Sequence, residues 1–177
     1  GRFSDRLASR HRLNNRNQRS SGLLEWFRGM VQFDSLLLDS LSATSNGFHM
    51  QDDIKEFHQL RVKVDDVIYM PNLDAPPNKP HPFVYFISIF NDSSIPVTIR
   101  ARKWVVIEDG GDTTVVEGEG VVGQQPTIKP GEHFSYNSYH VIGKSALVNG
   151  AFFGEMANGE WIFTRIPEFR LEVPKLA

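Results

Sequence analysis

From Gln59 onward apolar positions recur at every second residue, the period of a strand with one buried face. Leu60, Val62 and Val64 alternate with polar neighbours, and the phase resumes at Val67 and Tyr69 if Asp65-Asp66 forms a bulge. A stiff Pro-rich loop, PNLDAPPNKPHP, follows. Phe83 to Phe90 (FVYFISIF) is almost continuously apolar and rich in aromatic and β-branched residues, which predicts a strand buried across much of its width. Asn91-Asp92-Ser93-Ser94 ends it. Val97 to Glu108 predicts the next strand, and plain alternation places Ile99 and Ala101 on one face with Arg100, Arg102 and Trp104 on the other. After an Asp109-Gly110-Gly111-Asp112 turn, shorter strands are predicted at Thr114 to Val116, Phe134 to His140, Ala151 to Glu155, Trp161 to Ile166 and Phe169 to Val173.

About seven short strands with regular turn signals, no helical pattern between them and Trp104 as the core aromatic of a middle strand predict an all-β fold. The expected architecture is an immunoglobulin or fibronectin type III-like antiparallel β-sandwich over residues 51–177. No fixed internal period points to a propeller or solenoid. Upstream, residues 1–50 read as an N-terminal extension, helical or disordered. Leu23, Phe27, Met30, Leu37, Leu38 and Leu41 recur at helical spacing, whereas residues 1–20 are too polar to offset the entropy of ordering. The stretch SATSNG from Ser42 reads as a linker.

Charge divides the same way. The net charge is −2, and residues 1–20 hold six arginines against Asp5, so that segment carries +5 and the remainder −7. An acidic body is expected not to attract nucleic acid or anionic membrane, although a basic tail could touch either. No apolar run approaches the roughly 18 residues of a membrane span. The absence of cysteine excludes disulfides and thiolate metal ligands. A cytoplasmic location is expected, or a mitochondrial one if the Arg-rich leader is a targeting remnant.

Gly118-Glu119-Gly120-Val121-Val122-Gly123 satisfies G-x-G-x-x-G, but Gln124-Gln125-Pro126 follows where a dinucleotide site needs a helix. The loop is then either a structural crossover or a backbone nest able to hold a phosphate-containing anion. Arg100 and Arg102 could assist such binding, or simply form a solvated strand face. Among six histidines only His133 and His140 share a segment, and seven residues apart they point to opposite faces, so no metal site is expected. Ser135 to His140 offers hydroxyls and an imidazole without a nucleophile elbow or orienting acid. No catalytic residue, cofactor or enzymatic activity is therefore expected.

Several motifs occur in a fixed order: Arg102-Lys103-Trp104, the glycine segment through Pro126, Lys129-Pro130-Gly131-Glu132, Phe134-Ser135-Tyr136 and Arg165-Ile166-Pro167-Glu168-Phe169. In this combination residues 59–174 resemble the ApaG domain family (DUF525). The resemblance implies a fibronectin-like sandwich, found alone in bacteria and as a domain of F-box and DNA polymerase delta-interacting proteins, where it mediates protein contacts. It also implies an association with cobalt and magnesium resistance and with diadenosine tetraphosphate hydrolase. A pyrophosphate-containing ligand in the glycine loop would map to Gly118, Gly120 and Gly123, with Val121 and Val122 between them. The expected function is a non-enzymatic module for an unidentified protein partner, with a polyphosphate sensor as the alternative. After the Tyr-x-Ser strand the family's Thr-rich and Gly-x-Met-x-Gly pattern is replaced here by Tyr139 to Gly143 and Asn149 to Gly154.

Overall fold

The computed structural model describes residues 54–175, so the expected tail, helix and linker lie outside the described residues. Nine strands are found there: β1 (Lys55–Glu56), β2 (Leu60–Tyr69), β3 (His81–Asn91), β4 (Val97–Glu108), β5 (Thr113–Glu119), β6 (Thr127–Ile128), β7 (His133–Ile142), β8 (Ala146–Met156) and β9 (Trp161–Leu171). The larger sheet runs β1-β9-β8-β4-β5, with β6 also on β4, and the smaller runs β2-β3-β7. All pairings are antiparallel except β1 with β9, which is parallel. The architecture is the expected all-β sandwich, departing from strict antiparallelism only at that two-residue strand.

The core lies between the sheets because each contributes its alternate apolar positions. Leu60, Tyr85, Ile87 and Ile89 of the smaller sheet are essentially inaccessible, as are Ile99, Trp104, Val148 and Phe152 of the larger. Tyr85 and Trp104 meet across the sheets with ring centroids 4.9 Å apart. Burying each such side chain contributes about 2–3 kcal/mol. Asn91, also fully buried, holds the β3–β4 turn: its amide donates to the Ile95 and Ile128 carbonyls at 2.8 Å, and its oxygen accepts from Ser93.

Two bulges correct simple alternation. The β4–β8 register shifts between Ile99 and Ala101. Parity therefore flips, and Ile99 and Trp104 both enter the core instead of lying on opposite faces. Likewise the two predicted C-terminal strands are one, β9, passing through Pro167. The β8–β9 register shifts between Val148 and Gly150, so Pro167 falls where the ladder is interrupted and its missing N–H is tolerated. At Asp65 the expected bulge is present.

Glu108, at the end of β4, is buried and joins three separate segments. Its Oε1 forms an ion pair with Lys79 Nζ at 3.0 Å, and its Oε2 accepts the Gly143 and Lys144 N–H groups at 3.0 Å each. Burial pushes the carboxyl pKa up, but Lys79 and the two amides outweigh it and hold it below its ordinary value. The Pro-rich loop and the β7–β8 turn are thus fastened to one carboxylate.

Candidate functional site

The seven residues singled out in the sequence, Arg100, Arg102, Gly118, Gly120, Val121, Val122 and Gly123, come together where β4 begins and β5 ends. Gly118 and Glu119 belong to β5, so the loop proper starts at Gly120. Val121 N–H donates to Gln124 O at 2.7 Å and Gln124 N–H to Val121 O at 2.9 Å, closing a hairpin over Val122 and Gly123. Those two have φ of 46° and 78°, the left-handed pair of a type I′ turn. Gly120 is required by space as well as φ, because a Cβ there would lie 2.0 Å from Gln124 O.

Both arginines are engaged. Arg102 Nη1 donates to the Glu119 and Gly120 carbonyls at 2.8 and 2.9 Å, bracing the hairpin from inside. Its guanidinium lies over Gly118, its ladder partner, where a Cβ would come within 3.0 Å. Arg100, in the β4 bulge, donates to Glu155 Oε2 at 2.9 Å and to Gln125 Oε1 at 2.7 Å. An anion nest needs successive amides converging on open space. Here the Gly120 amide donates to Arg100 O at 2.7 Å, and that of Val121 closes the turn.

Val122 is a β-branched residue at positive φ, a conformation that costs about 1 kcal/mol or more. Replacing it with Asn creates the Asn-Gly pair favoured by this turn. Val122→Asn is expected to stabilise the domain by about 1 kcal/mol in urea unfolding. An unchanged or lower midpoint would contradict the type I′ assignment.

Sequence reasoning missed a polar group inside the sandwich. Tyr85 Oη stands 3.4 Å from His140 Nε2, and their rings stack with centroids 5.1 Å apart. Burial, reinforced by Lys79, lowers the His140 pKa from 6.5 to about 4, while burial raises that of Tyr85 to about 12. The imidazole is therefore neutral at pH 7, and its tautomer sets which of the two groups donates. The inward alternation of Phe134 and Tyr136 leads to His140 and was the available signal. His133, on the opposite face, stacks on Phe90, so the two histidines share no site. Among the described residues no group of three metal-ligating side chains is present, and no helix is long and apolar enough to cross a membrane.

The outer face of the smaller sheet carries a shallow groove of about 430 Å³ between Asp65, Asp66, Ile68, Phe86, Ser135 and Asn137. Ser88 donates to Asp65 and shares a 2.7 Å hydrogen bond with Ser135. Lys63 pairs with Asp65 at 2.9 Å. The Ser88 hydroxyl and then Lys63 hold the Asp65 carboxyl below its usual value.

Comparison with known proteins gives a consistent result. Residues 71–155 match the family model described as the ApaG domain. The chain is 35% identical over 118 residues to Protein ApaG of Pseudomonas aeruginosa, covering 66% of this chain and 93% of that protein. It is 37% identical over 109 residues to Protein ApaG of Bdellovibrio bacteriovorus, covering 61% and 86% respectively. Among solved structures, one described as an ApaA protein from Bordetella pertussis superposes with a TM-score of 0.61 at 31% identity, covering 70% of this chain and 99% of that one.

Proposed function

The chain belongs to the ApaG domain family, and from that premise we propose that it is a binding module without chemistry of its own, meeting a protein partner through an exposed strand edge. The observation that carries this reading is the contrast between two neighbouring features. Around the glycine hairpin the arginines and the Gly120 and Val121 amides are bonded within the domain. Beside it, the edge strand β5 leaves Val115 46% and Val116 36% exposed, with Ile107 of β4 at 37%. Surface of that kind, next to main-chain groups at a sheet edge, suits a polypeptide better than a small anion.

A second reading, a sensor of phosphate, pyrophosphate or a dinucleotide polyphosphate linked to cobalt and magnesium homeostasis, is favoured by one fact. Arg100 and Arg102 both flank the hairpin, and an anion able to displace Glu155 or the loop carbonyls would find two guanidinium groups there. Amide NMR titration separates the readings. With pyrophosphate, diadenosine tetraphosphate, magnesium or cobalt the resonances of Gly118 to Gly123 are expected to stay unshifted. Saturable shifts confined to that segment and the two arginines would replace the protein-binding reading with the sensor.

A further inference from the structure

The free edges of the two sheets are not equally guarded against strand addition. β1 has only two residues, and β5 carries Glu117 and Glu119. β2 carries Arg61, Lys63 and Asp66 and is bent by the bulge at Asp65. β7 differs from all three: its ten residues, HFSYNSYHVI, include no Asp, Glu, Lys, Arg, Gly or Pro. Its register with β3 is unbroken from His133 to Ile142.

The direction of its unpaired groups follows from the ladder. Asn91 N–H donates to Glu132 O at 3.0 Å, which makes that pair hydrogen-bonded and sets the alternation for the rest. Even-numbered residues of β7 therefore bond to β3. The N–H and C=O groups of His133, Ser135, Asn137, Tyr139 and Val141 point to the free edge. Among the described residues β7 pairs with β3 alone.

An independent observation lies opposite. Val116 is the ladder partner of Trp104 and so shares its inward face, yet it is 36% exposed. The cause is a difference in width, since the larger sheet has five strands in its path and the smaller three. Thr164 Oγ1 bonds to Leu60 O, setting β2 beside β9, so β7 lies on the β5 side and the inner face of β5 overhangs it. One more strand beside β7 would extend the smaller sheet beneath Val116.

We propose that this strand is the β7 of a second copy of the chain, paired antiparallel about a two-fold axis at Asn137. The proposal rests on reading the domain as a binding module. In this register Asn137 faces the partner copy's Asn137, Ser135 faces its Tyr139 and His133 its Val141, using the outward groups on both sides. Charge decides for a second copy. An isologous pairing sets each residue against its own strand's sequence, and a strand with no carboxylate, ammonium or guanidinium sets no like charges opposite one another. On β5 an axis at Glu117 or Gly118 would oppose glutamates, and no specific charge on β7 selects a foreign partner.

The full chain should be followed by sedimentation equilibrium through a concentration series, with amide hydrogen exchange at both ends of the series. The mass is expected to rise to twice that of one chain. The amides of Ser135, Asn137 and Tyr139 should slow at least about tenfold while those of Phe134, Tyr136 and Ser138, already bonded to β3, change little. Asn137→Pro removes only an outward N–H, and Asn137→Lys sets two ammonium groups at the axis. Each should stay a single chain, with circular dichroism confirming the fold. A single chain at every concentration would overturn the pairing, as would a dimer that survives both substitutions. If that result came with a flat phosphate titration, the binding-module reading would stand while the self-pairing failed.

Discussion

Substituting Gly150 with alanine is expected to cost about 3 kcal/mol, a large fraction of the roughly 5–15 kcal/mol that holds an ordinary domain folded. Gly150 lies in β8 directly opposite Trp104. A Cβ placed there would stand 2.0 Å from the Lys103 carbonyl oxygen and 3.2 Å from the Trp104 Cα. Both are main-chain atoms of a central strand, so relief requires moving the backbone that carries the largest core side chain. The register shift just before Gly150 concentrates the effect, because the strand must bend where no side chain can be accommodated. Gly118→Ala is the control: its new methyl would meet only the far end of Arg102, a flexible side chain, and should cost less. Equal urea midpoints for Gly150→Ala and the unsubstituted protein would show that β4 and β8 do not approach so closely.

The second large effect is acid lability centred on His140. Its pKa is lowered from 6.5 to about 4, chiefly by burial and further by Lys79. Between these values the unfolded chain binds a proton that the folded protein does not, so stability falls as pH drops through that window. From pH 6.5 to 5 the loss is up to about 2 kcal/mol at 1.36 kcal/mol per unit, reduced in proportion to the ring's remaining exposure. Glu108 also has a lowered pKa, and its contribution is lost only as pH falls below the ordinary carboxyl value of 4.5. The two groups therefore separate on the pH axis. Protonation also leaves Nε2 able only to donate toward the Tyr85 hydroxyl. Urea unfolding at pH 7 and pH 5 should show the loss in the parent protein and not in His140→Phe, which keeps a ring against Tyr85 and Trp104. A parallel loss in both would place the titrating group elsewhere.

Neither effect is visible in a motif. Gly150 is one glycine among fourteen, and nothing near it in the chain announces a carbonyl of β4. His140 attracts notice as a possible metal ligand or base, whereas packing against Tyr85 and Trp104 keeps it neutral. The glycine segment behaves similarly. Its pattern shows a turn with residues at positive φ, but whether its amides face outward or are occupied depends on the Arg100 carbonyl of β4 accepting from Gly120 and on Gln124 accepting from Val121.

Strand positions, the bulge at Asp65, Trp104 as a core residue and the family resemblance were all legible from the residues themselves. Alternation, turn chemistry and ordered motifs are local properties, carried by neighbours a few positions apart. Tertiary structure alone decided the rest. The Arg100 bulge that flips β4 parity, the joining of two predicted segments into β9 and the parallel seat of β1 are choices of pairing between distant strands. So is the free edge of β7, since an edge exists only by virtue of which strands are not beside it. A linear pattern records which face of a strand is buried, because that is written every second residue. It does not record which strand lies next to it, because that depends on contacts between residues far apart in the chain.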